Sequence, residues 1–267
     1  MNSQITSIAL GSFDGIHIAH QKLLDHADAA VIIERNQGYL TPGYKRSRYT
    51  NKPLFFYYLD HIRALDAFEF VNRLKSDFPS LQHLVVGYDF YFGHNRSADT
   101  QTLSELFDGV VQIVDEVTLD GVSVHSGVIR RYLQNGDIFQ ANQMLGRKYS
   151  IDGKVIPGQG IGAKELVPTL NLLIQDYQLP SQGVYVTNTR IDNTWLPSVS
   201  FIGHRISTDG TFAVESHIID QHLGIITGNI EIEFAARLRD NKKFDSIHEL
   251  MDQITSDIAE ASQWIER

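Results

Sequence analysis

The chain changes character near Arg147, and this change limits its fold more than any other feature. Before it, short apolar runs alternate with helical patterns. Ile5–Leu10 reads as a strand ending at Gly11, residues 17–27 as a helix, Ala30–Ile33 and Leu84–Val86 as buried strands, and Val110–Val117 as another strand. Strands alternating with helices imply a parallel α/β sheet. Helical patterns return at 128–134 and 138–145, with Gly146 as a stop. From Tyr149 to about Phe234 the signals are strands separated by Gly, Pro and Asn turns, the pattern of an antiparallel barrel. Within Asn229–Phe234, Ile230, Ile232 and Phe234 alternate with Glu231 and Glu233, as in a half-buried strand. The last segment reads as a helix, with a capping box at Ser246 and Glu249 and an apolar face of Ile247, Leu250, Met251, Ile254 and Ile258. Two domains are expected, 1–147 and 148–267.

Composition narrows the class of function. The 267 residues are 42% hydrophobic and 21% charged, as in an ordinary globular chain long enough to bury a core without staples. The absence of cysteine excludes disulfides, thiolate metal sites and a cysteine nucleophile, and it fits a reducing cytoplasm. No basic leader precedes a long apolar core, and no apolar run is long enough to span a bilayer, so neither a signal peptide nor a membrane partner is expected. The formal charge of −9 repels nucleic acid and anionic lipid in bulk. An anionic substrate must then be met by local cations or helix N-termini. Residues 36–53 are polar, basic and turn-rich and read as a long loop, of a kind that is often functional. Nothing in the sequence specifies an oligomer.

The first candidate site is Gly11-Ser12-Phe13-Asp14-Gly15-Ile16-His17-Ile18-Ala19-His20, which follows the first strand directly. Gly11 and Gly15 allow a tight turn and close approach to a ligand. The helix behind them offers N–H groups and a positive dipole end to a phosphate. His17 and His20 share one face of its first turn, where two imidazoles can donate to a phosphate whose charge shifts during transfer. An isolated H-x-x-H pair often matches by chance, and the strand–turn–helix context is what makes this one informative. A zinc site is the weaker idea, because no third ligand is evident nearby.

GSFDGIHIAH resembles the G-x-F-D-G-x-H-x-G-H signature of the adenylyltransferase domain of prokaryotic bifunctional FAD synthetases, a variant of the HIGH motif of nucleotidyltransferases. Val86 to Gly93 resembles that family's VGxDFxFG, with Arg96 placed like a later arginine, and Val124 to Arg130 resembles its ISSTxIR. The resemblance implies that these segments line an ATP and flavin site. The implied binding residues are Gly11, Phe13, Asp14, Gly15, Asp89 and Ser126, with Arg130 on the nucleotide phosphates. Arginine near a helix start suits that task, since guanidinium binds phosphate oxygens in a bidentate way. Asp89 would hold Mg²⁺ or position the nucleotide. The sequence departs from the family at Ala19, at His125 and Gly127, and in lacking F-x-P-H-P between Ile33 and Leu84.

The second candidate site opens with a strand and a glycine-rich loop, Gly153 to Gly162, in which Gly158 and Gly162 are the candidate phosphate cradle. No G-K-[ST] follows, so it is not a Walker A loop. Val167-Pro168-Thr169-Leu170-Asn171-Leu172 then resembles the P-T-A-N motif of riboflavin kinases. Thr169 and Asn171 stand on one face of a strand, where a hydroxyl and an amide oxygen can hold a Mg²⁺ bound to ATP. Ala213 to Asp220 resembles the family's VExHILD strand, which implies that Glu215 is the general base for the ribityl hydroxyl of riboflavin. Arg239 falls in family order and is a candidate to help close over the product. Leu170, Ala163, Glu165-Leu166 and His204 to Ser207 depart from the family pattern.

The resemblance runs from Gly11 to the C-terminal helix. It implies a Rossmann-like nucleotidyltransferase domain followed by a six-stranded antiparallel riboflavin kinase barrel with a C-terminal helix. The implied substrates and products are riboflavin, FMN, FAD and ATP, with Mg²⁺ as cofactor. Two alternatives stand beside the bifunctional reading: a riboflavin kinase with a degenerate first domain, and a flavin-binding protein without turnover.

Overall fold

The computed structural model describes residues 2–35, 39–158, 167–207, 209–221 and 224–265. The chain forms two compact units, Met1–Val128 and Ile129–Arg267.

In the first unit, strands β1 (Ser7–Gly11), β2 (Ala29–Glu34), β3 (Leu54–Tyr58), β4 (His83–Gly87) and β5 (Val110–Val114) form one parallel sheet in the order β3-β2-β1-β4-β5. Helices α1 (Ile18–Leu24), α2 (Leu59–Ile62), α3 (Ala67–Asp77) and α4 (Thr100–Leu106) connect them, and a small hairpin, β6 (Thr118–Leu119) and β7 (Val122–Ser123), follows. The apolar runs are continuous because both sheet faces are buried. Ile8, Leu10, Val31, Leu84 and Val86 pack with Phe70, Val71 and Leu74 of α3 and Leu103 of α4. Ala9, Ala30, Ile32 and Val85 point the other way, onto Leu23 and Leu24 of α1. Strand order reverses between β1 and β4, and a doubly wound sheet places its ligand crevice at the carboxyl ends of such a pair. Those ends are Gly11 and Gly87.

Two expectations change here. Val110–Val117 is strand only to Val114. The segment 36–53 is less irregular than expected: 36–38 lie outside the described residues, Gly43–Tyr49 is a 3-10 helix, and a strand missed in the sequence, β3, begins at Leu54. Leu54–Tyr58 is a half-buried aromatic run at the sheet edge without alternation, so it carries no period-2 signal.

The second unit is a closed six-stranded barrel, β10-β11-β12-β9-β8-β13, built from β8 (Tyr149–Ile156), β9 (Leu170–Ile174), β10 (Gly183–Ile191), β11 (Thr194–His204), β12 (Phe212–Ile218) and β13 (Asn229–Asp240). Every pairing is antiparallel. Asp192 and Asn193, with φ of 47° and 67°, make the two-residue hairpin turn of β10 and β11, a conformation that Asp and Asn tolerate. The hydroxyls of Thr189 on β10 and Ser216 on β12 bond at 2.7 Å although those strands are not neighbours, so both face the barrel interior. Thr187, Ser198 and Ser200 complete a fully buried, mutually bonded hydroxyl set.

Helices α5 (Ser126–Asn135) and α6 (Ile138–Leu145) precede the barrel, and α7 (Ile247–Ile265) follows it. The compact units divide inside α5, ahead of the expected boundary at Arg147. The reason is packing on the barrel: Asn142 Nδ2 donates to the Phe234 carbonyl (2.9 Å), its Oδ1 accepts from the Tyr149 N–H (2.7 Å), and Ser181 N–H donates to the Leu133 carbonyl (2.8 Å). Ser246 Oγ accepts from the Glu249 N–H as expected, while the Glu249 carboxylate reaches the Asp245 N–H. The face of α7 that packs carries Ile258 and Ala261, whereas Ile247 and Met251 are exposed.

Candidate active sites

In the first unit, the turn after β1 is wound tightly. Phe13, Gly15 and Ile16 take φ of 48°, 87° and 41°. Left-handed geometry is free for glycine but costs about 1–3 kcal/mol at the other two, and strain of this kind collects at ligand sites. Phe13 and Ile16 are fully buried in the α1-side core, and that burial holds the turn in place. His17 is the N-cap of α1, and its Nδ1 accepts from the His20 N–H at 3.3 Å. With Nδ1 as acceptor, a neutral His17 carries its proton on Nε2. The two rings stack at 3.5 Å, so the pair is one preorganised unit. Because α1 has only two turns, the imidazoles are the more effective donors there.

Asp14 is a structural hub. Its carboxylate accepts from the Leu40 and Thr41 N–H groups (3.1 and 3.0 Å), and Arg46 lies 4.0 Å away. Arg46 is buried and pairs with Glu34 at 2.5 Å. Burial pushes the Glu34 carboxyl up, but the hydrogen bond and charge of Arg46, with the Tyr39 hydroxyl, hold it below its usual range. Ser126 Oγ donates to the Asp14 carbonyl at 2.8 Å, joining the start of α5 to this turn. The basic loop therefore clamps the GSFDG turn from one side. The sequence contained the signal, a run of cations without acids, but not its partner.

Asp89, just past β4, is exposed and lies 3.8 Å from His125, whose Nε2 meets the Tyr88 hydroxyl at 3.1 Å. Tyr88 also donates to Glu116 at 3.2 Å. Hydrogen bonds from Ser123 and Tyr88 hold the Glu116 carboxyl below its usual range. His125 thus stands beside Asp89 where a hydroxyl was expected. Arg130 is half-buried on α5 and falls in the second compact unit.

In the second unit, register builds the site. Glu215 on β12 pairs directly with Asn171 on β9. Ser216 faces the interior, so Glu215 and its partner Asn171 share the outer face of the barrel, whereas Thr169 lies just ahead of β9, which begins at Leu170, and is not on the strand expected for it. His217, also on that face, bonds the Pro168 carbonyl through Nδ1 at 2.8 Å and fixes the start of the Pro-Thr-Leu-Asn segment. Gly158 stands so close that a Cβ there would meet Asn171 Nδ2 at 2.5 Å. Gly162 lies outside the described residues.

Arg205 joins the group. Its Nε and Nη2 donate to Glu215 Oε1 (2.9 and 2.6 Å), and Nη2 also donates to Asn171 Oδ1 at 2.5 Å. In the sequence this residue is a lone arginine in a turn, without a motif. Arg239 is held elsewhere: its guanidinium makes three hydrogen bonds to the buried Asp257 carboxylate of α7 and lies over the Phe244 ring. A ligand would meet it only after that pair opened.

The family model for riboflavin kinase matches residues 145–265, and that for FAD synthetase matches residues 50–128. A bifunctional riboflavin kinase/FMN adenylyltransferase from Pseudomonas fluorescens is 30% identical over 94% of this chain and 90% of its own length. The chain belongs to the bifunctional riboflavin kinase/FMN adenylyltransferase family. The family member from Bacillus subtilis is 28% identical over 96% of this chain and 92% of its own. A solved structure described as a macrolide-efflux protein from Streptococcus pneumoniae superposes with a TM-score of 0.86 at 25% identity, covering 97% of this chain and 94% of that one. Within the family frame, Asp89 and Ser126 fall in the FAD synthetase match, and Gly158, Thr169, Asn171, Glu215 and Arg239 in the riboflavin kinase match. The histidine pair precedes the first match, and Arg130 lies between the two.

Proposed function

We propose that this chain phosphorylates riboflavin to FMN with one ATP and adenylylates FMN to FAD with a second. The observation that carries the reading is the register that sets Glu215 opposite Asn171 on the outer face of the barrel. A carboxylate that can take a proton stands there beside an amide oxygen that can meet a metal. Thr169, Asn171 and Glu215 offer only oxygen donors, which fits Mg²⁺. Thr169 and Asn171 would hold that ion, and its chemistry is to neutralise charge on the ATP phosphates.

Glu215 accepts the proton of the ribityl hydroxyl as the oxygen attacks the γ-phosphorus, the bond to the β-phosphate oxygen breaks, and ADP leaves. In the adenylyl step, the FMN phosphate attacks the α-phosphorus of ATP and pyrophosphate leaves. His17 and His20 donate hydrogen bonds to phosphate oxygens, and Arg130 clamps the nucleotide. Gly11, Phe13, Asp14 and Gly15 shape the crevice at the strand-order reversal, with Asp89 and Ser126 along its edge. The adenylyl step is assigned to residues 1–147 and the kinase step to 148–267, so that α5 belongs to the first by motif and to the second by packing. Among the described residues, no helix is long and apolar enough to cross a membrane. We place both reactions in the cytoplasm, which a chain without cysteine fits.

The test is incubation with riboflavin, ATP and Mg²⁺, with products separated by chromatography. FMN followed by FAD is expected. FMN alone would support the kinase-only reading, for which His125 and Gly127 in place of hydroxyl residues argue. Flavin binding without ATP consumption would overturn the enzymatic reading.

A further inference from the structure

Arg205 makes four side-chain hydrogen bonds beside Glu215 and Asn171, and neither the family motifs nor the proton-transfer step uses it. Its backbone is fixed: Arg205 N–H donates to the Thr211 carbonyl (2.9 Å), and Gly210 N–H donates back to the Arg205 carbonyl (3.0 Å). These two backbone bonds tie Arg205 to the residues just ahead of β12. Nη1 donates to Thr211 Oγ1 at 3.0 Å, with Asp209 Oδ2 at 3.8 Å. The remaining donors hold Glu215 Oε1 and Asn171 Oδ1 together. The Arg205 side chain is 17% exposed and that of Glu215 is 21% exposed, so the contact is partly shielded from water.

Both acceptors are needed elsewhere during phosphoryl transfer. Asn171 Oδ1 is the oxygen a metal ion would take, and Glu215 needs a carboxylate lone pair for the hydroxyl proton. A guanidinium on Glu215 Oε1 and Asn171 Oδ1 competes with both uses. An arriving metal ion would bring like charge against the guanidinium 2.5 Å from Asn171 Oδ1, and a metal-bound triphosphate offers a stronger partner than a single carboxylate oxygen. Guanidinium prefers the planar, paired oxygens of phosphate.

Resting on the kinase reading above, we propose that Arg205 is a catalytic residue that leaves Asn171 and Glu215 when metal-bound ATP arrives and closes on the γ-phosphate. Its charge then stabilises the phosphoryl group in flight. The ribityl oxygen forms its bond to the γ-phosphorus, the bond to the β-phosphate oxygen breaks, ADP carries off that electron pair, and the hydroxyl proton passes to the Glu215 carboxylate. One movement would thus supply positive charge to the transition state and release Glu215 Oε1 when the nucleotide is in place.

The test uses the full chain. The wild type is first assayed for FMN formation; no FMN would sink the kinase reading itself. If FMN forms, R205A is expected to lose about 100- to 1000-fold in kcat, the usual effect of removing one charge-stabilising donor, with the KM for riboflavin unchanged. Millimolar guanidinium added to R205A restores part of the rate. Calorimetry with Mg²⁺ and a non-hydrolysable ATP analogue, without turnover, shows weaker binding to R205A than to the wild type. A wild-type kcat in R205A overturns the proposal. So does a loss of rate without guanidinium rescue and with unchanged analogue affinity, the pattern of a purely structural ion pair. Should R205A fail to fold, R205K decides: it keeps the charge but not the fork, and undiminished kcat and analogue affinity in R205K would overturn the proposal.

Discussion

At the scale of single residues, an arginine that looks in the sequence like part of a solvated basic loop does structural work. Arg46 is 1% exposed and holds Glu34 and, at longer range, Asp14. Breaking a buried charge set by removing one partner costs about 3–5 kcal/mol. R46M is therefore expected to destabilise the first unit by that order in urea unfolding and to slow FAD formation, while FMN formation persists. The same pair sets an acid response. The folded-state pKa of Glu34 lies below its ordinary value of 4.5, so its contribution is complete above that pH and is lost as pH falls through the depressed value. Near-ultraviolet circular dichroism is expected to show the first unit loosening below about pH 4.5 in the wild type, and R46M lacking that component. Gly158 shows a different constraint. A Cβ there would stand 2.5 Å from Asn171 Nδ2. G158A is expected to push the amide aside, raising the KM for Mg²⁺-bound ATP about tenfold, or 1.4 kcal/mol, with little change in melting temperature. Steady-state kinetics beside a thermal melt check this.

At the scale of elements, periodicity was legible and partners were not. The alternation in Asn229–Phe234 announced a strand, but β13 runs on to Asp240, through register shifts against β10 that interrupt a simple period. The heptad-like stripe of α7 announced a helix, yet Ile247 and Met251 stay exposed while Asp257 is buried. A hydrophobic stripe wider than the surface it covers does not reveal which edge is used. Asp257 is buried because Arg239 meets it with three hydrogen bonds, joining α7 to β13. D257A is expected to cost about 1.5–3 kcal/mol, the range for charge-assisted hydrogen bonds, and to release the α7 amides to faster hydrogen exchange. Unchanged exchange would remove Arg239 from this anchoring role.

At the scale of the whole molecule, the chain pairs a doubly wound sheet with a closed barrel, and α5 and α6 pack with the barrel although the motif that opens α5 belongs to the first site. A fragment of residues 129–267 is expected to fold and to convert riboflavin to FMN. A fragment of residues 148–267 loses both bonds of Asn142 and is expected to be less stable by about 1–3 kcal/mol, as measured by thermal unfolding with a parallel product assay. The sequence by itself determined the two architectures and the Gly11–His20 turn, and it marked Asn171 and Glu215 as candidates. Strand and helix periods and turn chemistry act over a few residues, and those signals survive without a fold. Only the tertiary structure decided that Asp14 is a hub, that Arg239 is occupied by α7, and that Arg205 bridges Asn171 and Glu215. Arg205 is separated from Asn171 by 34 residues and from Glu215 by 10. Their meeting depends on which strands lie side by side and in what register, and no local pattern encodes that.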